Sequence, residues 1–132
     1  MPFSTIISDK RGFSLLEMLI VISIAGVMAA VAVPRFVNAV TLANTARIQS
    51  DLQVLNAAIV LYQAEKGSYP ENIYTDLKDY VMNIESVKPP KGKSQLKNGS
   101  VEEITAAQYG ISEDGTEATC QSHPLGDFGR KE

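Results

Sequence analysis

From Phe13 to Val33 the chain runs for 21 predominantly apolar residues, with one ionisable side chain, Glu17, at the fifth position. About 20 apolar residues suffice to cross a hydrocarbon core roughly 30 Å thick. A carboxylate deep in that core costs about 2.5 kcal/mol or more. The stretch therefore predicts a membrane-crossing helix whose single acid needs a partner. Lys10 and Arg11 precede the run and only Arg35 follows it closely, a bias that holds the N-terminal side in the cytoplasm. Ala29 to Ala32 imitate the cleavage site of a secretory signal. The run exceeds the roughly 7–15 residue core of such a signal, however, and Glu17 is out of place in one. A plain single-pass anchor with nothing removed is the other alternative.

Beyond Pro34 the pattern changes. Ile48, Leu52, Leu55, Ile59 and Tyr62 recur in steps of four and three, which is an amphipathic helix stripe. Arg47, Gln49, Asp51, Gln53, Asn56 and Gln63 are assigned to the opposite, polar face. Gly67 is suited to end the helix at C′. One helix is thus expected over residues 13–66, 54 residues or about 80 Å at 1.5 Å per residue. Gly26 and Pro34 are its weak points, because Gly and Pro lower helix propensity by about 1 and 3 kcal/mol relative to Ala. A kink or local unwinding is expected at Pro34.

The apolar stripe needs a cover, and only residues 67–132 can supply it. Ser68-Tyr69-Pro70 reads as a turn. Thr75 to Val81 reads as a short helix with Thr75 as its N-cap. Lys88 to Lys93 reads as loop. Asn98-Gly99 is a hairpin turn signal between Ser94–Lys97 and Val101–Thr105. Further strands are expected at Ala106–Ser112 and Thr116–Gln121, and an irregular tail from His123. The fold class is α+β: a long N-terminal helix, transmembrane in its first half and amphipathic in its second, with a small antiparallel-sheet head. The expected organisation is residues 1–12, then 13–36, 37–66 and the head at 67–132.

Composition excludes several functions. The net charge of −3 argues against general affinity for nucleic acid. Lys88, Lys91, Lys93 and Lys97 form a basic cluster without interleaved aromatics, which reads as a solvated loop. Cys120 is the one cysteine, so no intramolecular disulfide can form. His123 is the one histidine, and Cys-Gln-Ser-His fits no metal site, since zinc needs about four ligands. Nothing in the sequence assembles a nucleophile with a base or a pair of pocketed carboxylates, so neither an enzyme nor a cofactor or metal is expected.

Arg11-Gly12-Phe13-Ser14-Leu15-Leu16-Glu17, followed by the apolar run and Pro34, resembles the class III signal of type IV pilins and pseudopilins. The resemblance covers about residues 10–36. It implies a pilin-like fold and a leader, 1–12, cut by a prepilin peptidase after Gly12. It further implies N-methylation of Phe13 by the same enzyme, and makes Glu17 the characteristic acid. It implies a structural filament subunit, held by the bilayer of the inner membrane with its head outside. It also implies partners: other copies of the chain, other pilins or pseudopilins and an inner-membrane assembly platform. The new amine on Phe13 and the Glu17 carboxylate would neutralise one another, within a chain or between neighbours. From Leu55 through Tyr69, Pro70 and Val81 the sequence is similar to the major-pseudopilin branch of type II secretion. It lacks that branch's Asp-Pro-Trp-Gly loop and has no Trp. Glu113, Asp114, Glu117 and Asp127 fit no calcium loop and read as solvated turn residues. An adhesion, motility or competence pilin is the alternative function, and a minor subunit another.

Overall fold

A computed structural model describes Gly12 and residues 14–131. Helix α1 spans Leu15–Lys66, 52 residues. The chain forms two compact units, one reaching to Val37 and one starting at Asn38.

In the first unit α1 is apolar on every side, and none of the residues in its most apolar stretch is buried. Leu15, Val27 and Phe36 are among its exposed large side chains. The Ser23 hydroxyl donates to the Leu19 carbonyl at 2.7 Å, which satisfies its donor within the helix. Helical structure continues unbroken through Gly26 and Pro34, so Pro34 does not unwind it.

In the second unit the predicted stripe is the core. Ile48, Leu52, Leu55 and Ile59 are completely buried, Ala58 nearly so, and Tyr62 packs on them partly buried. Gly67, at φ 74°, ends the helix as an αL C′ residue and donates its N–H to the Gln63 carbonyl at 2.8 Å. The head covers the stripe with Ile73, Leu77, Val81, Ile84, Leu96, Tyr109, Ala118 and Phe128.

Helix α2, Ile73–Asp76, is shorter and earlier than Thr75–Val81. Its N-cap is Asn72, not Thr75. Asn72 Oδ1 accepts the N–H groups of Tyr74 and Thr75 at 2.9 and 3.3 Å. Asp76 Oδ2 reaches back to the N–H groups of Glu71 and Asn72. The helix start is therefore satisfied three residues before the expected cap.

The head has two small antiparallel sheets rather than one. Strands β1, Gly92–Gln95, and β2, Val101–Ile104, pair with Gly92 opposite Ile104. The Asn98-Gly99 turn is where it was expected, but β1 starts two residues earlier than Ser94, inside the predicted loop. Strands β3, Gly110–Ile111, β4, Ala118–Cys120, and β5, His123–Pro124, form the second sheet in the order β3-β4-β5.

Two expectations fail here for identifiable reasons. Ala106–Ser112 is a strand only at its end, because the Gln121 side-chain carbonyl takes the N–H groups of Thr105 and Ala106 at 2.6 and 3.2 Å. The tail from His123 is ordered structure, not irregular chain. Gln121 and Ser122 take φ 51° and 70°, so a two-residue turn of the type usually made by Asn-Gly joins β4 to β5. Phe128 then buries its ring and bridges to Leu96.

Leu55→Ala should lower the stability of the detergent-solubilised chain by about 2–5 kcal/mol, the usual cost of a cavity at a filled core site. Leu61→Ala, on the exposed side of the same helix, should stay within about 0.5 kcal/mol. Chemical denaturation followed by tyrosine fluorescence measures both.

Candidate functional site: the start of the apolar helix

α1 begins with Ser14-Leu15-Leu16-Glu17, and these residues close a reciprocal cap. The Ser14 hydroxyl accepts the Glu17 N–H at 3.2 Å. Glu17 Oε2 accepts the Ser14 N–H at 3.3 Å. The Ser14 carbonyl takes the Met18 N–H at 3.1 Å. This is the capping-box pattern, in which two unpaired helix-start donors are satisfied by side chains three residues apart. The negative charge also sits at the positive end of the helix dipole. Glu17 thus has a partner within its own chain, Ser14, other than the Phe13 amine expected for it, although Ser-x-x-Glu was legible.

Of the other predicted site residues, Gly12 is exposed and Phe13 lies outside the described residues. Gly26 and Pro34 both lie inside α1. A Cβ at Gly26 would meet no neighbour, so packing within one chain does not require glycine there.

The head's polar chemistry goes into fastening it to α1. Asn44 Nδ2 donates to the carbonyls of Lys91 and Lys93, both at 3.1 Å. Thr45 Oγ1 accepts the Gln95 N–H at 2.8 Å. Gln49 donates to the Phe128 carbonyl at 2.9 Å, and Asn56 Oδ1 accepts the Ala118 N–H at 2.7 Å. Gln49, Asp51 and Asn56, expected on the polar face, instead flank the stripe and bond the head: Asn56 at β4, Gln49 at Phe128 and Asp51 at Tyr109. Tyr109, almost fully buried, donates its hydroxyl to Asp51 Oδ2 at 2.7 Å. Its N–H is accepted by the Tyr74 hydroxyl at 3.1 Å, which itself donates to the Val87 carbonyl at 2.7 Å.

Burial, then the Asp51 hydrogen bond, raises the Tyr109 phenol above its ordinary value near 10. Burial also raises Tyr74. The lone Cys120 is buried; burial and the nearby Asp51 push its thiol up to about 11. That is the environment of an inert thiol, not a nucleophile.

The acids near the C-terminal end have local partners. Asp114 Oδ1 accepts from the Ser112 and Thr116 hydroxyls at 2.6 and 2.8 Å. These bonds pull its carboxyl down to about 2. Asp127 and Glu102 flank His123 at 3.1 and 3.3 Å. Among the described residues no group of three or more His, Cys, Asp or Glu could hold a metal ion.

The family model described as prokaryotic N-terminal methylation motif matches residues 7–33. The type II secretion system core protein G of Escherichia coli (strain K12) is 30% identical over 105 residues, 78% of this chain and 70% of its own length. The protein of that name from Klebsiella pneumoniae is 38% identical over 61 residues, 46% of this chain and 44% of its own. The type IV major pilin protein PilA of Myxococcus xanthus (strain DK1622) is 33% identical over 62 residues, 47% of this chain and 28% of its own. The chain therefore spans less than half of some curated relatives and about 70% of others. No solved structure matches it significantly.

Two outcomes follow from this geometry. Tyr109→Phe should cost about 1 kcal/mol at pH 7, the net worth of one hydrogen bond. The folded phenol titrates above the unfolded one, so its contribution is complete below about pH 10 and disappears as pH rises further. Denaturation midpoints at pH 7 and in the alkaline range, for both chains, check this. Separately, Cys120 should resist iodoacetamide at pH 8 in the folded chain and react fully in denaturant, as intact mass would record.

Proposed function

Because the chain belongs to the family of type IV pilins and type II secretion pseudopilins, we propose that it is a structural subunit of a type II secretion-type filament. The observation that carries this is the juxtaposition at the start of α1. A methylation-motif match runs into a helix whose first part is apolar on every side, unburied, and headed by a single acid. An exposed apolar helix of this length requires lipid or other helices around it. The family is one of structural subunits, and the helix suits both surroundings in turn.

In this reading prepilin peptidase cuts between Gly12 and Phe13 and methylates the new N-terminus. Residues 13–36 span the inner membrane with the N-terminus in the cytoplasm and the head outside, and then become the filament core. Residues 37–66 carry the head, 67–132. Cutting puts an amine on Phe13, the residue bonded to Ser14, at the helix end where Glu17 already turns back. In the membrane, one chain's own amine and carboxylate can neutralise each other. In the filament, the Glu17 carboxylate meets the Phe13 amine of a neighbour, and low dielectric strengthens the pair. Methylation leaves a protonatable nitrogen, so the pair survives it. Gly26 and Pro34 give the helix points of flexure during transfer from lipid to filament. The partners are further copies, other pseudopilins and the inner-membrane assembly platform. The similarity to a type IV major pilin supports the second reading, a pilus subunit.

Removal of residues 1–12 takes away Asp9, Lys10 and Arg11 and shifts the formal charge from −3 to −4. Intact mass of the chain from membranes containing the peptidase should show that loss plus one methyl group; an uncut chain as the stable species refutes processing. Glu17→Ala should insert normally and yet form few filaments, counted by electron microscopy after shearing. Wild-type numbers of filaments from that variant refute the pairing.

A further inference from the structure

The head distributes its exposed charges unevenly along α1: cations prevail at one end and acids at the other, where Lys66 and Lys78 are the cations among them. At one level stand Lys91, Lys97, Arg130 and Lys131. Asn44 holds the Lys91 carbonyl. Lys97 and Gln49 both close on Gly129, and the Lys131 side chain lies against Gly99, in the hairpin turn that also carries Lys97. Three acids stand at this level too, fewer than its cations. Glu103 sits opposite Lys93 across β1 and β2, and Glu102 and Asp127 flank His123. The four cations are exposed, and among the described residues no ion pair forms at any of them.

At the other level stand Glu71, Asp79, Glu113 and Asp114. Tyr80 donates to Glu65 at 2.6 Å and meets Tyr62 edge-on at 5.7 Å, which brings neighbouring Asp79 to the end of α1. Gly115 packs against Tyr69, and Tyr69, Glu71, Glu113 and Asp114 line one shallow groove. These acids are exposed as well and form no ion pair among the described residues, and the hydroxyls bonded to Asp114 pull its carboxyl down to about 2. Asn44 and Gln49, which anchor the basic end, lie 21 and 16 helical residues from Glu65, about 31 and 24 Å at 1.5 Å per residue. The basic end therefore cannot reach the acidic groove within one head.

We propose that the acidic groove of one subunit receives the basic pole of a second copy displaced along the direction of α1. The contact is heterologous, so it leaves a free pole at each end and propagates instead of closing. Tyr69, 46% exposed, floors the groove with an aromatic face suited to a Lys or Arg side chain. This contact rests on the filament reading and adds to it: the apolar helices supply cohesion, and the heads fix register through charge complementarity.

Cysteines at Lys97 and Glu113, one at each pole, test this in the full-length chain assembled in its membrane with its own machinery. The poles lie too far apart to cross-link within a subunit. Oxidation of sheared filaments should give a ladder at whole multiples of the chain mass, and either cysteine alone should give none. Glu71→Lys with Glu113→Lys should cut filament yield by about ten-fold or more. Adding Lys97→Glu and Lys131→Glu to that chain should restore the yield, a recovery that a merely misfolded variant would not show. Filaments without the ladder, cross-links to a different protein instead, or reversal without loss of yield overturn the head contact alone. A wild-type chain that forms no filament overturns the filament reading together with it.

Discussion

The structure of the second unit depends on one constraint: a helix stripe of Ile48, Leu52, Leu55 and Ile59 that water must not touch. Those side chains are worth roughly 1.5–3 kcal/mol each when fully buried, but 66 head residues must be ordered to cover them. Few of the head's own residues lie in regular structure, and its strands run two to four residues. Sheets this small are marginal alone. The stripe therefore makes the head stable as much as the head covers the stripe. The polar residues beside the stripe follow from this. A short strand laid on a helix leaves edge donors and acceptors without ladder partners. Asn44, Thr45, Gln49 and Asn56 supply those partners from the helix itself.

What the sequence disclosed, and what it concealed, divides along the same line. The helix, its buried face and its stop at Gly67 were legible because period and αL chemistry are local signals. The Asn98-Gly99 hairpin was legible for the same reason. The β4–β5 turn was not, since Gln121 and Ser122 adopt positive φ without the residues that usually announce it. Phe128 was hidden in a Gly- and Pro-rich stretch, where only the tertiary fold shows that an open core position needed an aromatic ring. The roles of Gln49, Asp51 and Asn56 were hidden too. Residues at the margin of an apolar stripe read as solvated until a second element arrives to use them.

At the start of α1 the disclosure was fuller than the reading taken from it. The spacing that marks Glu17 as an acid in need of a partner also spells a capping box with Ser14. The two roles are compatible because an ionised carboxylate can accept about four hydrogen bonds. One oxygen on the Ser14 N–H leaves capacity for an ammonium group. The cap also alters the energetics of the exchange from membrane to filament. It holds the carboxylate toward its own helix start.

An isolated subunit in the membrane is then not an unpaired acid waiting for rescue. It is a locally satisfied unit, which accounts for how such a chain can reside in lipid at all before it assembles. Assembly must consequently offer more than a hydrogen-bond partner for Glu17, since Ser14 already provides one. The surplus has to come from surfaces with no partner inside the chain. The exposed apolar side chains from Leu15 to Val40 are one such surface. The unpaired poles of the head are the other. The apolar surface is indifferent to register, because one lipid-like side chain fits against another with little directional preference. The charged poles are not indifferent, since a shift of a few residues places like against like. On the proposed head contact, cohesion and order in the filament draw on different halves of the chain.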